Sequence, residues 1–470
     1  MKSPLSKVLH PVAGRPLVYY PVAAARAAGA AQVVVVTSAK DKGAIEQYLV
    51  GAFGADLIRI RVQDPPRGTG DAARIGLEGL DASAERTLIL YGDVPLLEQT
   101  DLARLAATAQ TETELGLGTC RLRDPHGYGR ILRDTHGQVL GIVEQKDLKD
   151  PAHAAIAEIN TGLYAVYVSA LRSALAGLSN DNAQGEYYLT DIVAWFSSRG
   201  RVQAVDLSED ATLGVNDRAQ LCEVEDRMFA RIARRHRLAG SSIASGVRID
   251  DAVSIGSDVT LHANVQLRGK TEVGDGSLID VGCVLENARV AGGVTVLPYS
   301  VVADSELGPG CQIGPFTHVR PHSVLEAEVK LGNFVETKAT RLRRGAKANH
   351  LSYLGDGDVG ENTNIGAGTI FCNYDGFAKH KTTVGRDVFI GSDSQLIAPL
   401  NIGDGAYVAT ASSVTEDVPA DALAIGRVRQ NNKPGYAPPL RARLKAAAVA
   451  AKRASGAAAG EPSHEPKRQK

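Results

Sequence analysis

The chain has 470 residues, 22% of them charged, and its acidic and basic side chains balance to a net charge of −1. That balance gives no electrostatic case for a nucleic-acid partner. No apolar run approaches the roughly 18 residues of a membrane span, so no membrane insertion is expected. Five scattered cysteines without a Cys-x-x-Cys spacing argue against a disulfide framework and a thiolate zinc site. With no secretory leader pattern at the start, the expected location is the cytoplasm, and the length suggests two domains.

Residues 1–216 alternate β-rich apolar runs (Val33–Thr37, 87–91, 115–122) with segments of helical composition (23–31, 101–109). This alternation predicts an α/β domain with a largely parallel, doubly wound, Rossmann-like sheet, in which Val33–Thr37 is a buried strand. Tyr91-Gly92-Asp93-Val94-Pro95 follows one of the strands. Ligands in such sheets bind outside the carboxyl ends of strands, and a carboxylate there suits Mg²⁺ held against phosphate oxygens. An Asp chosen only for turn geometry is the plain alternative. Gly68-Thr69-Gly70 is a flexible turn through which backbone could approach a base or a phosphate, a weak signal alone.

Residues 217–240 read as a linker helix. No Gly or Pro interrupts 217–238, Leu221, Val224, Met228, Ile232 and Ala233 recur at steps of three and four, and Gly240 follows. Over 241–435 an aliphatic-Gly pair recurs with a six-residue rhythm. Ile255 to Val273, Ile313 to Leu331 and Val384 to Ile402 are each separated by three hexads. Such hexads predict a parallel β-helix whose inward aliphatics stack in columns. The rhythm lapses between Leu331-Gly332 and Val359-Gly360, and again between Ile365 and Val384, where an extruded loop is expected. These lapses hold Asn349-His350, Tyr353 and Asn373-Tyr374. A histidine suits proton transfer near neutral pH. Arg320 and Lys338, likewise three hexads apart, should stack on adjacent coils and converge on one anion. Residues 436–470 are rich in Ala, Lys and Arg; they read as a solvated, mostly disordered tail with a short helix near 440–452.

In this order the motifs resemble the bacterial bifunctional N-acetylglucosamine-1-phosphate uridyltransferase and glucosamine-1-phosphate N-acetyltransferase family. The matching stretches include Lys7-Val8-Leu9-His10, 63–70, 91–95, Gly127-Tyr128-Gly129-Arg130-Ile131, Gly141-Ile142-Val143-Glu144, 158–162, 184–191 and Gly214-Val215-Asn216. The resemblance implies a left-handed β-helix and a homotrimer with acetyl-transfer sites between neighbouring prisms. It implies that Asp93 and Asn216 hold Mg²⁺, and that Lys7 meets the nucleotide phosphates. Gln63, Gly68 and Thr69 would read the uracil, with Tyr91 and Gly92 beside them, and Gly129, Glu144 and Asn160 would hold the sugar. In the second domain it implies His350 as general base. Arg320, Lys338, Tyr353 and Asn364 would bind the acetyl acceptor, and Ala367, Asn373, Tyr374, Ser392, Thr410 and Arg427 acetyl-CoA. UTP is the implied donor in the first reaction and acetyl-CoA in the second.

Three departures stand out. In this family the first strand runs into a Leu-Ala-Ala-Gly-x-Gly-Thr-Arg-Met loop, and Met1 aligns with its final Met. Either the start lies upstream of Met1 or the uridyltransferase half is crippled; the intact downstream motifs favour the first. Ser6 stands where the family has Pro, and Thr410 where a small Ala is common. Two other functions remain open from the sequence: an acetyltransferase alone, and a non-catalytic regulatory or scaffolding subunit.

Overall fold

A computed structural model describes residues 1–457 of the chain. Its first half is an α/β domain around a six-stranded sheet in the order Arg201–Asp206, Glu114–Arg121, Glu158–Tyr167, Arg130–Arg133, Val139–Val143, with Arg86–Ile89 also paired to Glu158–Tyr167. The sheet is mixed rather than largely parallel. Glu158–Tyr167 runs antiparallel to three of its neighbours, and Arg201–Asp206 is parallel to Glu114–Arg121. A second, two-stranded parallel sheet joins Val33–Thr37 to Ile58–Val62. Among the described residues Val33–Thr37 pairs on one side only, and all five of its residues are half-buried, not enclosed as expected.

The helix Arg218–Leu238 follows, capped at its N-terminus by Asp217, whose carboxylate accepts from the Gln220 N–H at 2.9 Å. Val224, Met228, Phe229, Ile232 and Ala233 form its buried face. They pack in one cluster with Val12, Leu17 and Tyr20 from the first domain and Ile243, Val247 and Ile249 from the first coil. The Ala13 carbonyl also accepts from the Asp251 N–H at 2.9 Å, tying the first domain to that coil.

The second half is a parallel β-helix of three sheets with eleven, ten and nine strands, each strand two to four residues long. The three-hexad steps are real rungs: Ile255 pairs with Val273, Ile313 with Leu331 and Val384 with Ile402. The reason for the aliphatic-Gly pairing is steric. A Cβ at Gly332 would lie 2.0 Å from the Asn349 carbonyl oxygen, and one at Gly366 2.6 Å from the Ser392 nitrogen, so the corner after each inward aliphatic has no room for a side chain.

The first lapse of the rhythm is not a break in the prism. Lys330 pairs with Lys347 and Arg341 with Asp358, both steps falling one residue short of three hexads. Thr337, Leu342, Ala348 and Leu354 take the inward positions there, all fully buried. Only the second lapse is an extrusion: Ile365 pairs with Ile390, well beyond three hexads, and the excess bulges out as the loop 373–381. Ile365 and Val384 lie on different faces, so their separation in the sequence understated the loop. Beyond the prism, Ala437–Ala457 is a single helix. The rest of the segment read as a tail, 458–470, lies outside the described residues.

Candidate active sites

In the α/β domain Asp93 follows the strand Arg86–Ile89, and Asn216 immediately precedes the linker helix. The two are held together by backbone, because the Val215 N–H donates to the Asp93 carbonyl at 3.0 Å. Their side chains converge on the Lys7 ammonium, 2.5 Å from Asp93 Oδ2 and 3.1 Å from Asn216 Oδ1. Two hard oxygens gathered about one cationic centre fit Mg²⁺, which keeps few protein ligands and completes its shell with phosphate and water. Among the described residues no cluster of three His, Cys, Asp or Glu side chains offers a richer metal site.

Gly68 caps the helix Thr69–Leu77 with φ +103°, and a Cβ there would lie 2.6 Å from the Tyr187 carbonyl oxygen. That close approach is fixed on both sides: the Gly70 N–H donates to Tyr187 O at 2.8 Å, and the Tyr187 N–H to Arg67 O at 2.9 Å. The Thr69 hydroxyl accepts from the Leu189 N–H at 3.1 Å. The Gln63 amide donates to Gly68 O and to Asp71, each at 3.0 Å, so its orientation is set by a residue the sequence did not single out.

The third group surrounds Glu144. The Asn160 N–H donates to the Gly129 carbonyl at 2.9 Å, and the Asn160 side chain meets the buried Tyr164 hydroxyl at 3.0 Å. Burial pushes the Glu144 carboxyl above its usual range, while a hydrogen bond from Thr190 opposes that shift. Burial also pushes the Tyr91 phenol up to about 12, with the Glu144 and Asp93 charges adding to it. Tyr91 therefore lies within the fields of both Glu144 and Asp93. Gly162 leaves room for its ring, since a Cβ there would overlap the ring carbons.

On the β-helix, the rungs His318 to Glu336 and Val319 to Thr337 carry Arg320 into line with Lys338 on one outer face. The Glu336 carboxylate pairs with Arg320 at 2.6 Å. Contact with the ammonium of Lys379, from the extruded loop, holds Lys338 below its ordinary value; Asp356 opposes this and Arg320 adds to it. Three cations thus share one locality, and Lys379 was not among the expected residues. The Tyr353 hydroxyl lies over Gly355, and Asn373 Nδ2 donates to Asp356 Oδ2 at 2.6 Å. Tyr374 is exposed on the same loop.

His350 sits at the neighbouring corner with Nδ1 3.0 Å from Asn333 Oδ1, its rung partner in the preceding coil. Ala367, Ser392 and Thr410 continue that corner coil by coil: Asp393 N–H donates to Ala367 O at 2.7 Å and Ala411 N–H to Ser392 O at 2.8 Å. Arg427 is exposed beyond the last rungs. Asn364 does not join the Arg320 and Lys338 group. It projects from the adjacent face of the prism, paired with Lys347 and Phe389.

The fold and these sites define a two-domain transferase, a nucleotidyltransferase α/β unit joined to a hexapeptide-repeat β-helix. The model of the MobA-like NTP transferase domain matches residues 1–193. Over 453 residues the chain is 52% identical to the bifunctional protein GlmU of Sorangium cellulosum, covering 95% of each chain. It is 46% identical over 445 residues to that of Stutzerimonas stutzeri, covering 93% of this chain and 96% of the relative. With the protein of the same name from Pelobacter propionicus it shares 43% over 441 residues, covering 93% and 95%. The chain belongs to the GlmU family of bifunctional transferases. No helix among its described residues is long and apolar enough to cross a membrane.

Proposed function

We propose that this chain acetylates glucosamine-1-phosphate from acetyl-CoA, then couples the product to UTP, giving UDP-N-acetylglucosamine and pyrophosphate. The observation that carries the reading is the His350–Asn333 pair, one corner away from the aligned Arg320 and Lys338. With the Asn333 oxygen facing Nδ1, that nitrogen carries the hydrogen and Nε2 keeps its lone pair. Nε2 takes the proton from the substrate amine as the amine attacks the thioester carbonyl, and the coenzyme thiolate leaves. Arg320, Lys338 and Lys379 bind the sugar phosphate with Tyr353, and Asn373 and Tyr374 complete the site on the acetyl-CoA side. Ala367, Ser392, Thr410 and Arg427 line the acetyl-CoA groove.

In the α/β domain a phosphate oxygen of the acetylated sugar attacks the α-phosphate of UTP in line, and pyrophosphate leaves. Asp93 and Asn216 hold Mg²⁺, which would neutralise charge on the phosphates. Lys7 turns from those two oxygens to the nucleotide phosphates. Gln63, Gly68 and Thr69 read the uracil at the helix N-terminus, Tyr91 and Gly92 lie beside it, and Gly129, Glu144 and Asn160 hold the sugar.

The assembly is a homotrimer in the cytoplasm. Asn364 and Arg320 stand on adjacent faces of one prism, an arrangement that suits an acceptor site whose other wall comes from a second copy. Tyr299, Phe316 and Phe334 support this. All three have positive φ, which is strained for bulky residues, and all are about half exposed. Their rings stack at 5.5 and 5.6 Å along the corner that carries His350. Such a straight apolar ladder suits burial against a like chain.

The test is a pair of assays on purified protein, thiol release with acetyl-CoA and pyrophosphate release with UTP and Mg²⁺. His350→Ala should abolish only the first and Asp93→Ala only the second. Light scattering should give three times the chain mass. Retained acetyl transfer in His350→Ala removes the base assignment. The family membership disfavours an acetyltransferase alone or a scaffolding subunit.

A further inference from the structure

Phe389 and Tyr407 are rung partners on the outer face that carries Asn364. Their rings stack at 4.6 Å with 20° between planes, yet they remain 38% and 48% exposed. The next rung brings Leu423, 61% exposed, so an apolar strip runs three coils along the face. Resting on the acetyl-CoA reading above, the strip has a definite neighbour. Ser392 and Thr410 lie three residues after Phe389 and Tyr407 in the same coils, and Ala367 three after Asn364. The aromatic pair therefore flanks the donor groove along its length, with the acceptor-side Asn364 at one end and the exposed Arg427 beyond the other.

A long thioester donor has its acyl carbon at His350 and must run away from it along the corner. The far end of acetyl-CoA is an adenosine bearing phosphates, an aromatic base plus anions. An exposed stacked aromatic pair offers a face for the base, and the exposed Arg427 beyond it offers a cation for the phosphates. We propose that Tyr407, supported by Phe389, is the adenine platform for acetyl-CoA and sets the preference of the acetyltransferase for the whole coenzyme over its pantetheine arm.

The experiment compares CoA with 4′-phosphopantetheine, which lacks the adenosine end, by titration calorimetry on the full chain. KM is measured in parallel for acetyl-CoA and S-acetyl-4′-phosphopantetheine. Tyr407→Ala should weaken CoA binding and raise the acetyl-CoA KM by about five- to tenfold, the lower end of what one lost base stack costs. The phosphopantetheine values should move less than about twofold, and Tyr407→Phe should restore the CoA values. Light scattering of each variant reports its assembly. Equal losses for both ligands, a smaller assembly in Tyr407→Ala, or unaltered CoA binding would each overturn the proposal. Because binding is read without turnover, the platform is judged separately from the reaction: a chain that binds CoA as described yet transfers no acetyl group refutes the acetyltransferase reading alone.

Discussion

His350 Nδ1 lies 3.0 Å from the side-chain oxygen of Asn333, which is its rung partner one coil earlier. The prism backbone holds both residues, so the imidazole is oriented by the repeat and not by a mobile loop. Asn333→Ala should leave the fold intact, because its side chain is outside the core, but free the ring to rotate and to change tautomer. Acetyl transfer should then fall by about 10- to 100-fold, less than in His350→Ala. An unchanged rate in Asn333→Ala would show that the pair is incidental.

Lys338 and Lys379 bring two ammonium groups into contact beside Arg320, which is costly unless an anion joins them. Lys379→Ala should raise the KM for glucosamine-1-phosphate by about tenfold and leave that for acetyl-CoA nearly unmoved. The sign of the pH effect follows from the direction of the shift. Lys338 is held below its usual range, so sugar-phosphate affinity should fall as pH rises through that lowered value. In Lys379→Ala the fall should move to higher pH, because the repelling charge is gone. Initial rates across a pH series at fixed acetyl-CoA check both statements.

These two relationships mark where sequence reading stops. The stacking of Arg320 over Lys338 was legible because three hexads make one turn of the prism. Asn333 beneath His350 was not, since that coil is one residue shorter and breaks the repeat. Lys379 was hidden because a loop residue obeys no repeat; only its return as an antiparallel bridge to Tyr374 aims it at Lys338. In the α/β domain the strands were legible as apolar runs, but their pairing was not. Antiparallel partners such as Glu114–Arg121 and Glu158–Tyr167 lie far apart in the chain and carry no local mark of direction. Asp71 was missed for the same reason, since its hydrogen bond to Gln63 depends on how a helix start packs beside a strand end.

The Lys7 ammonium occupies the position between Asp93 and Asn216 that a divalent cation would take. Without nucleotide, lysine and metal should therefore compete. Lys7→Met should tighten Mn²⁺ binding in nucleotide-free protein by about two- to fivefold, the scale of a part-exposed ion pair, while impairing uridylyl transfer. Asp93→Ala should abolish the binding. Electron paramagnetic resonance titration of free Mn²⁺ reads this without turnover, and weaker binding in Lys7→Met would exclude the competition.

The loop 373–381 turns about one carboxylate, beside a backbone bridge from Tyr374 to Lys379. Asp375 Oδ1 accepts from the Phe377 and Ala378 N–H groups at 2.8 and 2.7 Å, and Oδ2 meets His380 Nε2 at 2.7 Å. The Ala378 N–H, with His380 and the Phe377 N–H, holds the Asp375 carboxyl well below the usual carboxylate range. A group depressed in the folded state contributes order that is fully present above its ordinary pKa and is lost as pH falls through the depressed value. Hydrogen exchange at Phe377 and Ala378, corrected for intrinsic rates, should thus show protection at neutral pH that vanishes under strong acid, ahead of the β-helix amides. Asp375→Ala should remove that protection at every pH. The loop also places Asn373, Tyr374 and Lys379, so the same variant should lower acetyl transfer by about tenfold while the melting temperature of the prism hardly moves, because the loop contributes nothing to the inward columns. A variant that keeps both its protection and its rate would show that the backbone bridge from Tyr374 to Lys379 holds the loop without the carboxylate.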